Sequence, residues 1–175
     1  MMAEATRRTA ADAPRMRQLV DWPVAVLAGM VAGTVFLLIL LFRIPAIYGG
    51  TAWLPLQYMA SLVMGSGVLP PAEPTVIVGI VGVVVHYILS LAFALTLAFI
   101  THRWGFLVGI IVGALFGLAI FFINMGIFTL LFPWMYVLNV PTFAGGHVFF
   151  GALAGAVYEG FERERFVPIE EEEAI

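Results

Sequence analysis

The chain contains neither cysteine nor lysine. Without cysteine there is no disulfide, iron–sulfur cluster, thiolate zinc site or cysteine nucleophile to consider. Without lysine, all eight basic residues are arginine. Charge of either sign is scarce: charged residues make up 11% of the chain and hydrophobic ones 62%, with a mean hydropathy of +1.05. A water-soluble domain of 175 residues cannot hide that much apolar surface, so the bilayer is the expected solvent. The formal net charge of −3 comes largely from the run Glu170 to Glu173, which suits a solvated tail. No catalytic or transport motif of known chemistry is present, and the thinly spread arginines make no nucleic-acid patch. Neither enzymatic activity nor a nucleic-acid partner is therefore expected.

What is present is apolar length. About 20 apolar residues cross ~30 Å of hydrocarbon, and segments of that kind fall at 22–42, 76–100, 104–132 and 141–161. Backbone groups in lipid must be satisfied within the segment, so each is expected to be a helix. The fold class that follows is an all-α integral membrane protein with four transmembrane helices, a four-helix bundle, plus a short outer interfacial helix at 55–64. A disordered cytoplasmic arm is expected at 1–21, the membrane domain at 22–166 and an acidic cytoplasmic tail at 167–175. Asp21, Trp22 and Pro23 form a start signal, an N-cap carboxylate followed by proline in the first turn. The first segment is too long for a signal-peptide h-region, and Arg43, Ile44 and Pro45 follow it where a cleavage site would need small residues.

Arginine placement gives orientation. Arg7, Arg8, Arg15, Arg17, Arg103, Arg163 and Arg165 lie on one side of the four spans and Arg43 alone on the other, so both termini are expected in the cytoplasm and the protein in the cytoplasmic (inner) membrane. Trp22, Trp104 and Tyr158 fall near the inner interface, and Tyr48, Trp53, Trp134 and Tyr136 near the outer one. Between the first two spans, Leu56, Met59, Leu62 and Val63 recur at helical spacing while Gln57 and Ser61 share another face. That pattern suits a helix lying on the membrane surface, as an anchor or as a lid.

The two halves can be aligned. Gly29, Gly33, Phe36 and Phe42 match Gly109, Gly113, Phe116 and Phe122 at one offset, and His86, Ser90 and Ala94 match His147, Gly151 and Gly155 at another. Two hairpins of one topology, related by an axis along the membrane normal, would give such a pattern. Chance alignment of apolar helices rich in Gly, Ala and Phe would give it too. Gly105, Gly109, Gly113 and Gly117 recur at every fourth position, and with Gly29, Gly33, Gly151 and Gly155 they mark close helix packing, within the chain or between protomers.

Intramembrane polar groups are few: His86, Asn124 and His147. Unpaired polar groups in lipid are costly, which makes these three the candidate site. At ~1.5 Å per residue the histidines stand at nearly equal depth, roughly 24 to 26 Å from the inner arginines. Three arrangements suit them. They can hydrogen-bond across helices and fix packing, ligate a haem b from two helices, or titrate along a proton or ion path. No metal site is expected, and haem b is the one cofactor the pair would suit.

Gly67, Val68, Leu69, Pro70 and Pro71, the pair Val85 and His86, Asn124, the stretch Leu131, Phe132, Pro133 and Trp134, and His147 with Phe150 and Gly151 give the chain a resemblance. From about Gly29 to Phe161 it resembles short bacterial membrane proteins that carry the label sodium:proline symporter. The resemblance implies a small multi-span protein and carries over no residue roles. The leading expectation is a non-catalytic accessory or structural component, as a homo-oligomer or within a larger membrane complex. An oligomeric transporter or channel with a histidine-lined face, and a bis-histidine haem b electron carrier, are the alternatives.

Overall fold

The computed structural model describes residues 16–168. Five helices account for most of them: α1 (Trp22–Tyr48), α2 (Trp53–Met64), α3 (Val76–Thr101), α4 (Phe106–Leu131) and α5 (Pro141–Phe161). Helix α4 is α-helical over Phe106–Ile123, widens into a π turn at Asn124–Phe128 and ends as one α turn at Thr129–Leu131. A 3₁₀ segment, Pro133–Leu138, leads into α5. Helices α1, α3 and α4 are long and apolar enough to cross a membrane. Their outward faces are apolar as well: Ile77, Ile80, Val84 and Ile88 form an exposed stripe on α3 that water would not favour. Helix α5 is less apolar, because glycines, His147 and Glu159 dilute it. It is also the helix with protein on most sides, packed against α4 and α1 and more lightly against α3. Its enclosure removes the need for an apolar exterior.

The Asp21 start signal acts as the sequence suggests, and Thr75, which the sequence reading did not single out, does the same for α3. Asp21 Oδ1 accepts the N–H of Val24 at 3.4 Å, and Thr75 Oγ1 accepts that of Val78 at 3.3 Å, so both helices open on a side-chain cap. Helix boundaries at 76–100 and 141–161 lie within a residue of α3 and α5. Helix α1 runs past the expected stop at residue 42 to Tyr48, through Pro45. Proline removes one backbone donor there, yet Ile44 is buried and the Tyr48 hydroxyl donates to the Val137 carbonyl, which holds the additional turns.

Close backbone approach sets the helix pairs. A Cβ at Gly113 would collide with the Gly151 carbonyl, one at Gly155 with the Gly109 carbonyl and one at Gly117 with the His147 carbonyl, so α4 and α5 run antiparallel with backbones touching. Helices α1 and α3 pair more loosely: Gly33 faces Ser90 and Gly29 faces Ala94. The internal alignment equates Gly33 and Ser90 with Gly113 and Gly151, and Gly29 and Ala94 with Gly109 and Gly155. Each aligned pair is in contact within its own hairpin. All these glycines meet partners in the same chain. Gly105 does not, contrary to the packing role expected of it: it lies at φ +81° before α4 with open space around it, and its role is the turn that only glycine makes without strain.

Helix α2 departs most from expectation. It runs alongside the start of α3 in the same direction, with Trp53 against Gly79 and the Leu56 backbone against Gly82. Its polar face is the buried one: Gln57 is 3% exposed and Ser61 is fully buried, whereas Val63 is 67% exposed. Gln57 Nε2 donates to the carbonyls of Val68 (2.8 Å) and Ala72 (3.1 Å), and Ser61 Oγ donates to the Tyr58 carbonyl while accepting from Trp134 Nε1 at 2.9 Å. A helix resting on a surface would turn these groups to water. Here they hold the returning 65–75 segment and the 3₁₀ turn. Gln57→Ala is expected to leave two carbonyls without a donor, a local cost of about 1–3 kcal/mol. Hydrogen exchange should then rise in 65–75 and stay unchanged in α5.

The first and last described residues are tied together. Strand β1 (Met16–Gln18) pairs antiparallel with β2 (Phe166–Pro168), Met16 opposite Pro168 and Gln18 opposite Phe166. Residues 16–21 lie within the arm read as disordered, and 167–168 within the tail; residues 1–15 and 169–175 lie outside the described residues. The reason is tertiary, since α1 begins beside the end of α5. Tyr158, expected at the rim, is 1% exposed, and its hydroxyl accepts the Asp21 N–H at 3.2 Å. Gln18 Nε2 donates to Glu162 Oε1 at 2.9 Å. Burial pushes the Glu162 carboxyl above the usual carboxylate range, against the opposing pull of the Gln18 and Tyr158 bonds.

Candidate functional site

Four elements bring the three predicted residues around one cavity. His86 comes from the middle of α3, Asn124 from the π turn of α4 and His147 from the second turn of α5, and Phe36 of α1 packs against both imidazoles, at 6.1 Å from His86 and 5.1 Å from His147 between ring centres. The equal depth read from residue counting thus corresponds to a shared neighbour. No hydrogen bond joins the histidines.

Each imidazole has a defined partner set. His147 Nδ1 lies 2.9 Å from the Phe143 carbonyl and Nε2 3.3 Å from Asn124 Nδ2. A carbonyl only accepts, so Nδ1 carries the proton and Nε2 accepts from the Asn124 amide. His86 is protonated on the other nitrogen: Nε2 donates to the Gly33 carbonyl at 2.8 Å, with Ser90 Oγ at 3.4 Å. These tautomers are assigned from the bonding pattern. The two histidines therefore stand on one phenyl ring and donate through opposite nitrogens, one tying α3 to α1 and the other α5 to α4.

The π turn places Asn124. Thr129 N bonds to the Asn124 carbonyl five residues back, the widened spacing of a π turn, and Thr129 Oγ1 donates to the Met125 carbonyl at 2.6 Å. The hydroxyl satisfies a carbonyl in the turn, so the helix can swell without an orphaned group. Between α3 and α4 the cavity measures about 80 Å³. Met59 of α2, Met125, Phe128 and Met135 of the 3₁₀ turn close it, Leu89 and Phe93 wall it, and His86, Ser90, Asn124 and His147 are its polar points. It is small, largely apolar and held by flexible methionines that can repack around a guest.

No family model, curated protein or solved structure matches the chain. Chemistry at this site rests on its own geometry.

Bis-histidine haem ligation does not fit that geometry. His86 Nε2 points its proton at the Gly33 carbonyl and His147 Nε2 is taken by Asn124, so neither imidazole presents a free Nε2 to a shared iron. Phe36, buried at 7% exposure, occupies the ground both imidazoles share. Among the described residues no cluster of three His, Cys, Asp or Glu side chains could hold a metal ion. Glu159 lies along α5 from His147 by twelve residues, ~18 Å of helix, beside Gly109. It contributes nothing to the cavity.

Sequence reasoning missed Phe36 as a site residue, along with Ser90 and the methionines. Phe36 had a visible signal, since it belongs to the aligned positions that mark the face of α1 turned to the bundle. For its neighbour Gly146 the structure alone gives the reason: a Cβ there would meet the Phe36 ring. The π turn had none in hydropathy, because the stretch around it is uniformly apolar.

Proposed function

We propose that this is a four-span protein of the bacterial cytoplasmic membrane, with both termini in the cytoplasm, built from two hairpins of one duplicated design. We take it to be a non-catalytic accessory or structural component, alone as a homo-oligomer or within a larger membrane complex. One observation carries this reading: the polar groups in the middle of the bundle spend their bonds on one another and on the backbone. His147 has both ring nitrogens engaged, and His86 is bound to the backbone of another helix. Such bonds fix which helices pair, at about 1 kcal/mol each.

The transport reading has an observation of its own, the cavity of about 80 Å³ bordered by both histidines. His86→Ala and His147→Ala separate the two. For an accessory role each variant should lower resistance to SDS by about 1 kcal/mol and weaken assembly, with no change in ion or solute flux across vesicles. Loss of a flux from a bundle with unchanged resistance would instead establish transport. Topology is tested separately, and the natural lack of cysteine makes it simple. Thr51→Cys should react with an impermeant maleimide in whole cells, and Glu164→Cys only after the membrane is opened.

A further inference from the structure

At the end of the bundle near the chain termini, an open groove of about 770 Å³ lies between the start of α1 and the turn joining α3 to α4. Three arginines from three separate segments line it: Arg17 on β1, Arg103 in the turn and Arg165 in the stretch leading into β2. We propose that this groove binds the phosphodiester headgroup of an anionic phospholipid of the cytoplasmic leaflet.

Charge is the first support. Among the described residues Asp21 is the one acidic residue lining the groove, against three arginines, and its carboxylate faces backbone donors, Oδ1 accepting the Val24 N–H at 3.4 Å and Oδ2 the Arg163 N–H at 3.3 Å. Arg103 donates through Nε to His102 Nε2 at 3.2 Å, which steadies the side chain and leaves its two terminal nitrogens free of that bond. Each guanidinium offers a planar fork suited to phosphate oxygens. The sheet fixes the assembly, because the Leu19 N–H bonds to the Arg165 carbonyl at 2.9 Å and so holds Arg165 beside the strand that carries Arg17.

Position is the second. Trp22 and Trp104 border the groove half-exposed, at 51% and 53%, as indoles at a headgroup boundary do. Phe99 and Ile100 of α3 also line it, exposed, so apolar surface continues from the arginines along the helix. A free phosphate would use the arginines alone; a lipid uses both parts. Basic pockets between helices on the cytoplasmic side are where anionic headgroups bind. The proposal rests on the cytoplasmic placement of this end, which the maleimide labelling above reports independently.

Native mass spectrometry of the full chain, offered equal phosphatidylglycerol and phosphatidylcholine with the same acyl chains, tests it. Phosphatidylglycerol adducts should predominate on the parent. R17Q/R103Q/R165Q should abolish the preference, with binding weaker by roughly fivefold per arginine and on the order of a hundredfold in all. R43Q, at the opposite end, should change nothing. All three groove arginines are exposed, so the triple variant should keep the parent's melting in phosphatidylcholine; should it unfold, R103Q and R165Q read singly, each about fivefold weaker, carry the same test. A preference retained by those variants overturns the proposal. Displacement of phosphatidylglycerol by millimolar inorganic phosphate also overturns it, assigning the arginines to a free anion.

Discussion

Gly113→Ala is expected to undo the pairing of α4 with α5. The added methyl group would meet the Gly151 carbonyl, and the reciprocal contact at Gly151 is equally tight. Overpacking that a side chain can relieve by rotation costs ~1–3 kcal/mol. Here the obstacle is backbone in a regular helix, so relief requires the helices to part along the whole line from Gly109 to Gly117. We expect a loss at or above the top of that range, seen as unfolding at much lower SDS and loss of tryptophan burial at Trp134. Gly126→Ala is the control: beyond its own stretch of helix nothing lies within 4 Å of the new methyl group, so no neighbouring element is pushed away. Equal behaviour of the two variants would mean that the glycine line does not hold the bundle.

Phe36→Ala should be the most damaging change at the cavity. The ring packs on His86, His147, Phe143 and Phe150 and against Gly146. Truncation of a buried phenylalanine costs about 3–5 kcal/mol in soluble cores. In a bilayer the displaced ring enters hydrocarbon in the unfolded state too, so the transfer part shrinks and the packing part remains. The expected loss is therefore at the low end, about 3 kcal/mol. Because the void merges with a cavity of about 80 Å³ lined mainly by apolar side chains, it should stay dry and take up a benzene-sized guest. Benzene should restore part of the lost SDS resistance in Phe36→Ala and do nothing for the parent. Rescue absent at saturating benzene would show that the bundle collapses into the space instead.

Much of this was legible from periodicity and from a few residues with one physical use. Asp21 and the ends of the segment at 141–161 acted as their types dictate, and the glycines at four-residue spacing met backbone as small residues in apolar helices should. The elements misread share a cause, a tertiary partner that reverses a local rule. Amphipathicity on α2 implied a wet polar face, but Gln57 and Ser61 found carbonyls and an indole inside the protein. The first span, expected to end at residue 42, ran on through Pro45 to Tyr48, whose hydroxyl had an acceptor waiting. Gly105 continued a packing series in sequence and served a turn in space. At the cavity, the two histidines that residue counting put at one depth share the Phe36 ring, an apolar residue that no polar pattern announced.

The two-stranded sheet has a meaning for biogenesis. Strand β1 leaves the ribosome long before β2, with all five helices between them. The sheet cannot exist until every helix has been made, and Arg17 and Arg165 cannot share one groove before then. Helix α5, the least apolar of the four long helices, is also the last to emerge, when α1 and α4 are already available to receive it. Pairing of the strands thus closes only around a fully translated bundle, a covalently silent seal between the first and last acts of its synthesis.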